Sequence, residues 1–192
     1  MNTITLSVET VSLSQQQFQA FCLENKNLRI ERDKFGKIII MTPVFSKSGF
    51  FNHEINLQLG MWNHTHRLGF LFDSSSGFTL PNGAMRSADG AFVFKARWKE
   101  LSPEKREKFA EICPDFVFEL RSTSDRLKTL QEKMLEWIEN GVKLGWLIDV
   151  EHHKIYIYKE EGLAEVRSFE EKAFGGDLLP DFELNFDFID EI

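Results

Sequence analysis

Residues 114–125 read PDFVFELRSTSD and carry one acidic residue inside a strongly apolar run. Phe116, Val117, Phe118 and Leu120 are typical of a strand that is buried on both faces. Glu119 interrupts them, and an unpaired carboxylate inside a protein costs several kcal/mol, on the order of the penalty for any buried ion. The stretch therefore predicts a central strand whose Glu119 is held by a specific partner.

A second acid stands in an apolar strand further upstream. Asp89 lies in RSADGAFVF, residues 86–94, which also reads as a buried strand. Side chains alternate along a strand, so Glu119 shares one face with Val117 and Arg121, and Phe116, Phe118 and Leu120 take the other. The helix expected next along the chain brings Lys133. Asp89, Glu119 and Lys133 are the candidate functional residues.

These residue types suit metal-dependent phosphoryl chemistry. Two carboxylates on neighbouring strands can bind Mg²⁺ and leave positions open for water and phosphate oxygens. The metal polarises the phosphoryl group and lowers the pKa of a bound water, and a lysine nearby can orient or deprotonate that water. The residues alone leave an alternative open. With 30 acids in the chain, Glu119 can equally be a structural partner of Arg121 or Lys133.

Composition and charge set limits on the class of protein. The 192 residues are 42% hydrophobic, which predicts one globular domain over residues 1–192. The net charge of −7 argues against broad, nonspecific attraction to nucleic acid or anionic membranes, although a local basic groove or a metal ion can still bind phosphate. Residues 1–10 lack a signal peptide's pattern and no stretch approaches ~20 apolar residues, so we expect no membrane association. Cys22 and Cys113 form no CxxC pair and are expected to be buried free thiols in a reducing cytoplasm.

The coarse pattern of elements predicts a mixed α/β fold. Ser12 or Ser14 is expected to cap a first helix that ends near Asn25, and LRIERDKFGKIIIM predicts a hairpin that turns at Gly36. A longer helix is expected over residues 48–67, with Gly69 as its end signal, followed by FLFD, GFTL and ADGAFVF as an antiparallel meander.

The second half of the chain continues this pattern. Ser102-Pro103-Glu104 predicts a helix start, and PDFVFEL is the central strand. Ser122 or Ser124 is expected to cap a helix that ends at Asn140, before Gly141. LGWLIDV and KIYIYK predict two more strands, and the alternating Phe182, Leu184, Phe186 and Phe188 predict an edge strand or a cover over the sheet. The chain is therefore expected to place helices outside a mixed sheet.

The run from Pro114 to Tyr158 resembles the characteristic block of the Uma-type restriction endonuclease family, within the PD-(D/E)XK nuclease superfamily. RSADGAFV resembles that family's "R-x-PD-hydrophobic" strand, and the helix around HEINLQL resembles its early helix. The resemblance spans residues 29–158. It implies a restriction-endonuclease-like mixed β-sheet flanked by α-helices, here with N-terminal helix and hairpin additions. It also implies a Mg²⁺ cofactor, for which Mn²⁺ can substitute, and hydrolysis of DNA phosphodiester bonds.

The resemblance also assigns site residues. Asp89 matches the family's first metal carboxylate and Glu119 its second, while Lys133 matches a lysine on the following helix, in K-x-x-x-aromatic with Trp137. Glu54 matches the acid of the early helix and is expected to support the metal shell or a bound water.

Three departures from the family pattern concern the two carboxylate strands. Ala88 replaces a proline, Gly90 a larger apolar residue, and Thr123 another proline. In addition, Arg121 stands where a standard nuclease of the superfamily has lysine. Arginine stays protonated and cannot act as a general base, so Arg121 is expected to contact substrate phosphate and the base role, if there is one, falls to Lys133.

The leading hypothesis is a cytoplasmic, Mg²⁺-dependent DNA endonuclease, which would often act as a homodimer to cut both strands. Because of these departures, a catalytically silent domain that binds DNA or a protein partner is an alternative hypothesis. A metal-dependent hydrolase that acts on another substrate is a third hypothesis. Other features are weaker. The basic region from Lys95 to Lys108 suits phosphate contacts or a solvated helix start, and His53, His64 and His66 suit a metal site less well than solvated positions.

Overall fold

The computed structural model describes residues 3–6 and 13–191. The helices are α1 (Gln15–Glu24), α2 (Ser46–His66), α3 (Lys95–Glu100), α4 (Pro103–Arg106) and α5 (Leu127–Glu139), with a 3-10 helix at Asp187–Glu191. The strands are β1 (Thr3–Leu6), β2 (Arg29–Arg32), β3 (Ile38–Met41), β4 (Gly69–Asp73), β5 (Phe78–Thr79), β6 (Met85–Arg86), β7 (Gly90–Phe94), β8 (Phe116–Arg121), β9 (Leu144–Asp149), β10 (Lys154–Lys159), β11 (Gly162–Ser168), β12 (Ala173–Phe174) and β13 (Glu183–Leu184).

The main sheet has six strands in the order β11-β10-β9-β8-β7-β4. Neighbouring strands pair antiparallel except β8 and β9, which run parallel with Arg121 opposite Asp149. The parallel pair requires a crossover, and α5 provides it. PDFVFEL therefore forms a central strand of a mixed sheet, as the sequence predicts.

The two faces of β8 pack against different elements. Phe116, Phe118 and Leu120 join a core cluster formed with the apolar side of α2 and the C-terminal segment. Val117 joins a second cluster that contains Met134 and Trp137 of α5. The predicted alternation is thus confirmed, and Glu119 lies on the face that α5 covers.

A second sheet, in the order β1-β3-β2-β6-β5, holds the N-terminal additions. β2 and β3 form the predicted hairpin, and Gly36 takes the positive φ of 85° that its turn requires. Helix α1 packs on this sheet through Phe18, and the predicted cap is Ser14, which forms a capping box with Gln17. Ser12, the other predicted cap, lies outside the described residues.

Three expectations about local structure were wrong. GFTL does not extend a meander, because β5 pairs with β6 in the second sheet while β4 pairs directly with β7. Arg67, at φ 53°, ends α2, so Gly69 is free to begin β4. Helix α5 has Arg126 at its N-cap without a side-chain cap, because Ser122 bonds to Asp125 in the preceding turn.

The C-terminal residues cover the main sheet rather than extend its edge. Phe182, Leu184, Phe186 and Phe188 are all buried in the cluster on the α2 side, and Phe182 stacks on Trp146 of β9. This outcome matches the second of the two predicted roles for the tail. Both cysteines are free, with Cys113 buried and Cys22 half-buried.

Candidate active site

Glu119 is held by two side chains of α5. Lys133 Nζ lies 2.9 Å from Glu119 Oε1 and 3.1 Å from Oε2, and Trp137 Nε1 donates a hydrogen bond to Oε1 at 2.9 Å. Lys133 and Trp137 are four residues apart on the helix, a spacing that places both on one face. The buried carboxylate in the apolar strand is therefore neutralised by an ammonium group and hydrogen-bonded by an indole.

Lys133 contacts more than Glu119. Its ammonium group also lies 3.0 Å from Glu31 Oε1 and donates to the carbonyl oxygen of Ser87 at 2.8 Å. Glu31 belongs to β2 of the second sheet, and Ser87 lies between β6 and β7. Lys133 thus joins helix α5 to both sheets at one point.

Glu31 extends this contact into a buried ionic network. One of its oxygens accepts from the backbone N–H of Ser87 and the other lies 3.0 Å from Arg86 Nη1. Arg86 in turn contacts Glu136 of α5 at 2.6 Å. Glu136 Oε1 also accepts a hydrogen bond from Asn82 at 3.1 Å. The network ties β2, β6, α5 and the turn before β6 together.

Asp89 stands at the entrance to β7, beside this network. Its Oδ2 accepts a hydrogen bond from the backbone N–H of Leu120 at 2.8 Å, so it lies next to the Glu119 position. Asn52 and Asn56 of α2 donate to the Asp89 carbonyl oxygen at 3.5 and 3.1 Å. These bonds fix the strand end that carries the carboxylate.

Asp89 also lines an open cavity of about 420 Å³. The other lining residues that matter for chemistry are Arg29, Asn52, His53, Asn56, Asp73, Ser122 and Asp125. Leu120 also lines the cavity, whereas Glu119 and Lys133 do not. The cavity therefore gives a ligand access to Asp89 at the point where the network begins.

The buried acids and the lysine have perturbed pKa values. Burial, together with the charges of Asp89 and Glu31, raises the pKa of Glu119 to about 7 although Lys133 opposes the shift. Burial also raises the pKa of Asp89, against the hydrogen bond from Leu120 and the charge of Lys133. Burial alone would lower the pKa of Lys133, but Glu119 and Glu31 outweigh it and raise the pKa above its usual range. Lys133 is therefore held as an ammonium ion.

The charges of this group do not balance. Glu31, Asp89, Glu119 and Glu136 are all buried, and the cations among them are Arg86 and Lys133. Four carboxylates against two cations leave a formal excess of two negative charges when all are ionised. At the cavity rim, Arg29 lowers and Asp125 raises the pKa of Asp89, so these two charges offset each other. An excess of two negative charges suits a divalent cation.

The described residues do not provide a complete set of protein ligands for a metal ion. Within residues 3–6 and 13–191, no group of three or more His, Cys, Asp and Glu side chains is arranged to hold a metal ion. Oxygen ligands from two carboxylates, with water filling the other positions, are nevertheless a usual donor set for Mg²⁺. Asp89 and Glu119 fit that set by residue type, and they belong to a cluster that contains more carboxylates than cations.

Two of the departures from the family pattern, Gly90 and Arg121, have local structural contacts that account for them. A Cβ atom at Gly90 would lie 2.1 Å from the Phe118 ring and 2.7 Å from Asn56 Oδ1, so the space that a larger residue would fill is occupied by these side chains. Arg121 is engaged with the next strand: its Nη1 lies 2.7 Å from Asp149 Oδ2 and 2.8 Å from His152 Nδ1. Arg121 therefore does not pair with Glu119, one of the two alternatives that the sequence left open.

The structure brings Asp89, Glu119 and Lys133 together and places Glu54 differently. Glu54 is half-buried on α2 and is not among the cavity-lining residues, where its neighbours His53, Asn52 and Asn56 appear instead. The basic region from Lys95 to Lys108 begins at the far end of β7 from Asp89. Its Arg97 and Lys105 form ion pairs with Asp115 and Glu111.

Sequence reasoning missed Glu31, Arg86 and Glu136. Glu31 carried the same signal as Glu119, an acid next to apolar residues in a predicted strand, LRIER. Arg86 is the first residue of the RSADGAFV segment whose resemblance to the family strand was noted, but its side chain was given no role. Glu136 carried no comparable signal, because it reads as an exposed charge of its helix. Only their mutual contact makes them part of the site.

Comparisons with known proteins bear on the family and the fold of the chain. The sequence profile of the Uma2 family, described as "Putative restriction endonuclease", matches residues 15–187. The crystal structure of a "putative nuclease belonging to DUF820" from Anabaena variabilis ATCC 29413 superposes with a TM-score of 0.70 at 17% identity, over 81% of this chain and 86% of that one. At that identity the likeness shows the fold. The curated proteins contain no significant match.

One further finding bears on the class of protein: no helix in the described ranges has the length and apolar character to cross a membrane. The family match covers nearly all of the chain and includes both carboxylate strands, the lysine helix and the early helix. The chain belongs to the Uma2 family of restriction-endonuclease-like proteins.

Proposed function

We propose that this protein is a divalent-metal-dependent endonuclease that hydrolyses DNA phosphodiester bonds. The observation that carries the proposal is the charge imbalance: four buried carboxylates and two partly exposed cations, Arg86 and Lys133, meet beside a cavity onto which Asp89 opens. In the metal-free protein the raised pKa values of Asp89 and Glu119 allow bound protons to offset part of this excess. A purely structural network would be expected to contain as many cations as carboxylates, because an uncompensated buried charge is strongly destabilising. A site that binds a cation has a reason to retain the excess.

Asp89 and Glu119 would hold the metal. When bound there, Mg²⁺ or Mn²⁺ supplies neutralisation of the charge on the phosphoryl oxygens and a lowered pKa for water. Asp89 is kept in place by the hydrogen bond from Leu120 and by Asn56, which anchors its backbone carbonyl. Glu119 is kept in place by Trp137. Both carboxylates are thus fixed before a ligand arrives, which lowers the cost of binding.

Lys133 would act through its charge. An ammonium group held between Glu119 and Glu31 keeps its proton, so general-base chemistry is disfavoured and orientation of water or stabilisation of phosphate charge is favoured. Glu31 would be a positioning residue, because it contacts the lysine and not the cavity.

The remaining assignments follow from position. Arg121 lies at the C-terminal end of β8, one residue beyond the Leu120 that lines the cavity, where a guanidinium group can contact a phosphate of the substrate. Glu54 remains a proposed supporting acid of the early helix. Cleavage of both strands would be served by a homodimer, which gel filtration or light scattering would detect.

A direct assay tests the proposal. Purified protein is incubated with supercoiled plasmid in Mg²⁺, in Mn²⁺ and in EDTA, beside the Asp89→Asn variant as a matched isosteric control. We expect nicked or linear DNA with either metal, and none with EDTA or the variant. Intact plasmid in all wild-type reactions, with protein shown to be folded, would overturn the proposal.

A catalytically silent, DNA-binding or protein-binding domain is the second candidate. The observation in its favour is that both oxygens of Glu119 contact Lys133 and one also contacts Trp137. A metal ligand must give up some of these contacts, whereas a structural carboxylate need not. DNA that shifts in a binding assay but stays uncut in Mg²⁺ and Mn²⁺ would favour this candidate.

A further inference from the structure

A second cavity, of about 470 Å³, lies between the β9–β10 turn and the end of β11. The residues that give it its chemistry are His152, His153, Lys154, Arg167 and Phe169. One acid, Glu170, is also part of its lining. In a chain with a net charge of −7, this grouping of basic and aromatic side chains is a local exception.

The cavity lies at the same end of the main-sheet strands as Asp89. Asp89 precedes β7 and bonds to Leu120 near the end of β8, where Arg121 lies opposite Asp149 of β9. Asp149 lies opposite Lys154 of β10, which lies opposite Ser168 of β11. Adjacent strands are separated by about 4.8 Å, so β7 and β10 are roughly 14 Å apart.

One pair of side chains links the two cavities. Arg121 Nη1 lies 2.8 Å from His152 Nδ1, and the same nitrogen lies 3.1 Å from both carboxylate oxygens of Asp149. Leu120, next to Arg121, lines the Asp89 cavity, and His152 lines the second one. A nucleic-acid backbone that runs from Asp89 along these strand ends would pass Arg121 before it reaches the second cavity.

An aromatic stack gives the second cavity a flat surface. The His153 ring stacks on Phe169 at 5.5 Å with an interplanar angle of 18°, and Phe169 stacks on Phe186 at 4.0 Å and 11°. Phe186 is buried while His153 is exposed, so the imidazole is the outermost ring of a stack anchored in the core. Flat rings beside cations are the elements with which proteins bind single-stranded nucleic acid.

Lys154 supplies the accessible charge. It is exposed at the start of β10, directly after His153. Arg167 is half-buried and is oriented by Glu165 at 2.7 Å and by the Lys172 carbonyl oxygen at 3.2 Å. Lys154 is therefore the better single site for a test, because among residues 3–6 and 13–191 it forms no ion pair that orients the cavity wall.

We propose that this second cavity is a nucleic-acid strand subsite, in which a base stacks on His153 and a backbone phosphate contacts Lys154. The subsite binds single-stranded nucleic acid that runs from Asp89 along the ends of the main-sheet strands and past Arg121. This inference rests on the proposed function and deepens it, because it names the path and the strandedness of the bound nucleic acid.

The chain offers a matched control. Lys154 and Lys159 are the first and last residues of β10 and both are exposed, so Lys154→Ala and Lys159→Ala remove the same charge from opposite ends of one strand. His153 has a φ of 50°, so His153→Asn is chosen, because asparagine tolerates this conformation better than alanine. All three are made in the Asp89→Asn background, which prevents cleavage during the measurement.

The probe is a fluorescein-labelled 20-nucleotide single-stranded DNA, measured by fluorescence anisotropy over a series of salt concentrations. We expect Lys154→Ala and His153→Asn each to weaken binding roughly 5-fold or more, as loss of a base stack or a phosphate contact does. Lys154→Ala should also make the salt dependence shallower by about one phosphate contact. Lys159→Ala should bind as the parent does.

The outcomes separate the subsite from the proposed function. If the parent binds the probe while Lys154→Ala and His153→Asn bind no more weakly than Lys159→Ala, the subsite is wrong and the nuclease proposal stands. If the parent binds neither this probe nor duplex DNA, both are overturned. Binding of duplex alone overturns the single-strand path.

Discussion

Glu31 Oε1 accepts a hydrogen bond from Lys133 Nζ at 3.0 Å across 102 residues of sequence. The contact joins β2 of the second sheet to α5 over the main sheet, and it lies beside Glu119 and the Ser87 carbonyl oxygen. A residue of the N-terminal additions thereby takes part in holding the candidate catalytic lysine. The N-terminal hairpin is thus part of the site and not only an appendage to the fold.

The first prediction concerns Glu31. In the Glu31→Gln variant, one charge near Glu119 is removed, and since that charge helps to raise the pKa of Glu119, the pKa should fall. Metal ligation needs the ionised carboxylate, so Mn²⁺ binding should persist to lower pH than in wild type, while cleavage falls because Lys133 loses an anchor. Isothermal titration at pH 5.5, 6.5 and 7.5 measures the shift.

Glu111→Gln is the control for this change, since Glu111 pairs with a lysine at the surface. An unchanged pH dependence in Glu31→Gln, with reduced activity explained by lower stability alone, would reduce Glu31 to a structural role.

The second prediction concerns Lys133. Removing the ammonium group in Lys133→Ala leaves Glu31 and Glu119 buried without it, and breaking a buried pair in this way costs about 3–5 kcal/mol. The loss should be smaller at pH 5 than at pH 8, because Glu119 can accept a proton at the lower pH. Urea denaturation at both pH values measures the difference.

Lys128→Ala provides the comparison on the same helix. Lys128 is exposed and lies 4.0 Å from Glu132, a surface pair of the kind worth at most about 1 kcal/mol. Equal stability of the two alanine variants would contradict the buried ion pair.

The third prediction concerns stability and pH. Glu119 has a folded-state pKa of about 7 against an ordinary value of 4.5, so the folded protein binds a proton that the unfolded chain has already released. Its contribution to the free energy of unfolding is therefore greatest at low pH and declines as pH rises from about 4.5 to about 7, by about 3 kcal/mol. Glutamine does not ionise, so the free energy of unfolding of the Glu119→Gln variant should not show this decline.

The variant should therefore match wild type near pH 4.5 and be more stable than wild type near pH 7.5, both in EDTA. Mn²⁺ should raise the melting temperature of wild type at pH 7.5 and leave the variant unchanged. Differential scanning fluorimetry across pH tests both statements, and a variant that melts well below wild type at pH 7.5 would identify Glu119 as a stabilising partner of Lys133.

The fourth prediction separates Asp89 from the other acids of its cavity. Asp89→Asn keeps an oxygen for the Leu120 N–H but removes the charge that faces the cavity, so Mn²⁺ binding should be lost. Asp73 lines the same cavity and bonds within its own turn to Ser75, so Asp73→Asn should bind Mn²⁺ as wild type does. Isothermal titration decides between them, and loss of binding in both or in neither variant would move the metal away from Asp89.

Much of the fold was readable from local sequence. The two faces of β8 follow from its apolar run, because alternating side chains of a central strand must all be buried. Lys133 and Trp137 lie on one helix face because they are four residues apart. The turn at Gly36 follows from the positive φ that glycine adopts freely. These features depend on neighbours within a few residues.

Other features depended on contacts between distant segments. GFTL has the pattern of a strand, but which sheet it joins is decided by its pairing with β6. Glu54 and Glu31 are both acids beside apolar residues, yet Glu31 of β2 contacts Lys133, whereas Glu54 lies on α2, which packs on the face of β8 opposite α5.

The sequence by itself determined that Glu119 would be buried and would need a partner, since burial follows from the apolar pattern around it. Only the tertiary structure decided that the partner is Lys133 and that Glu31, Arg86 and Glu136 belong to the same ionic network. The physical reason is that hydrophobic pattern is a local property of the chain, whereas the neutralisation of a buried charge depends on which distant groups come within about 4 Å of it.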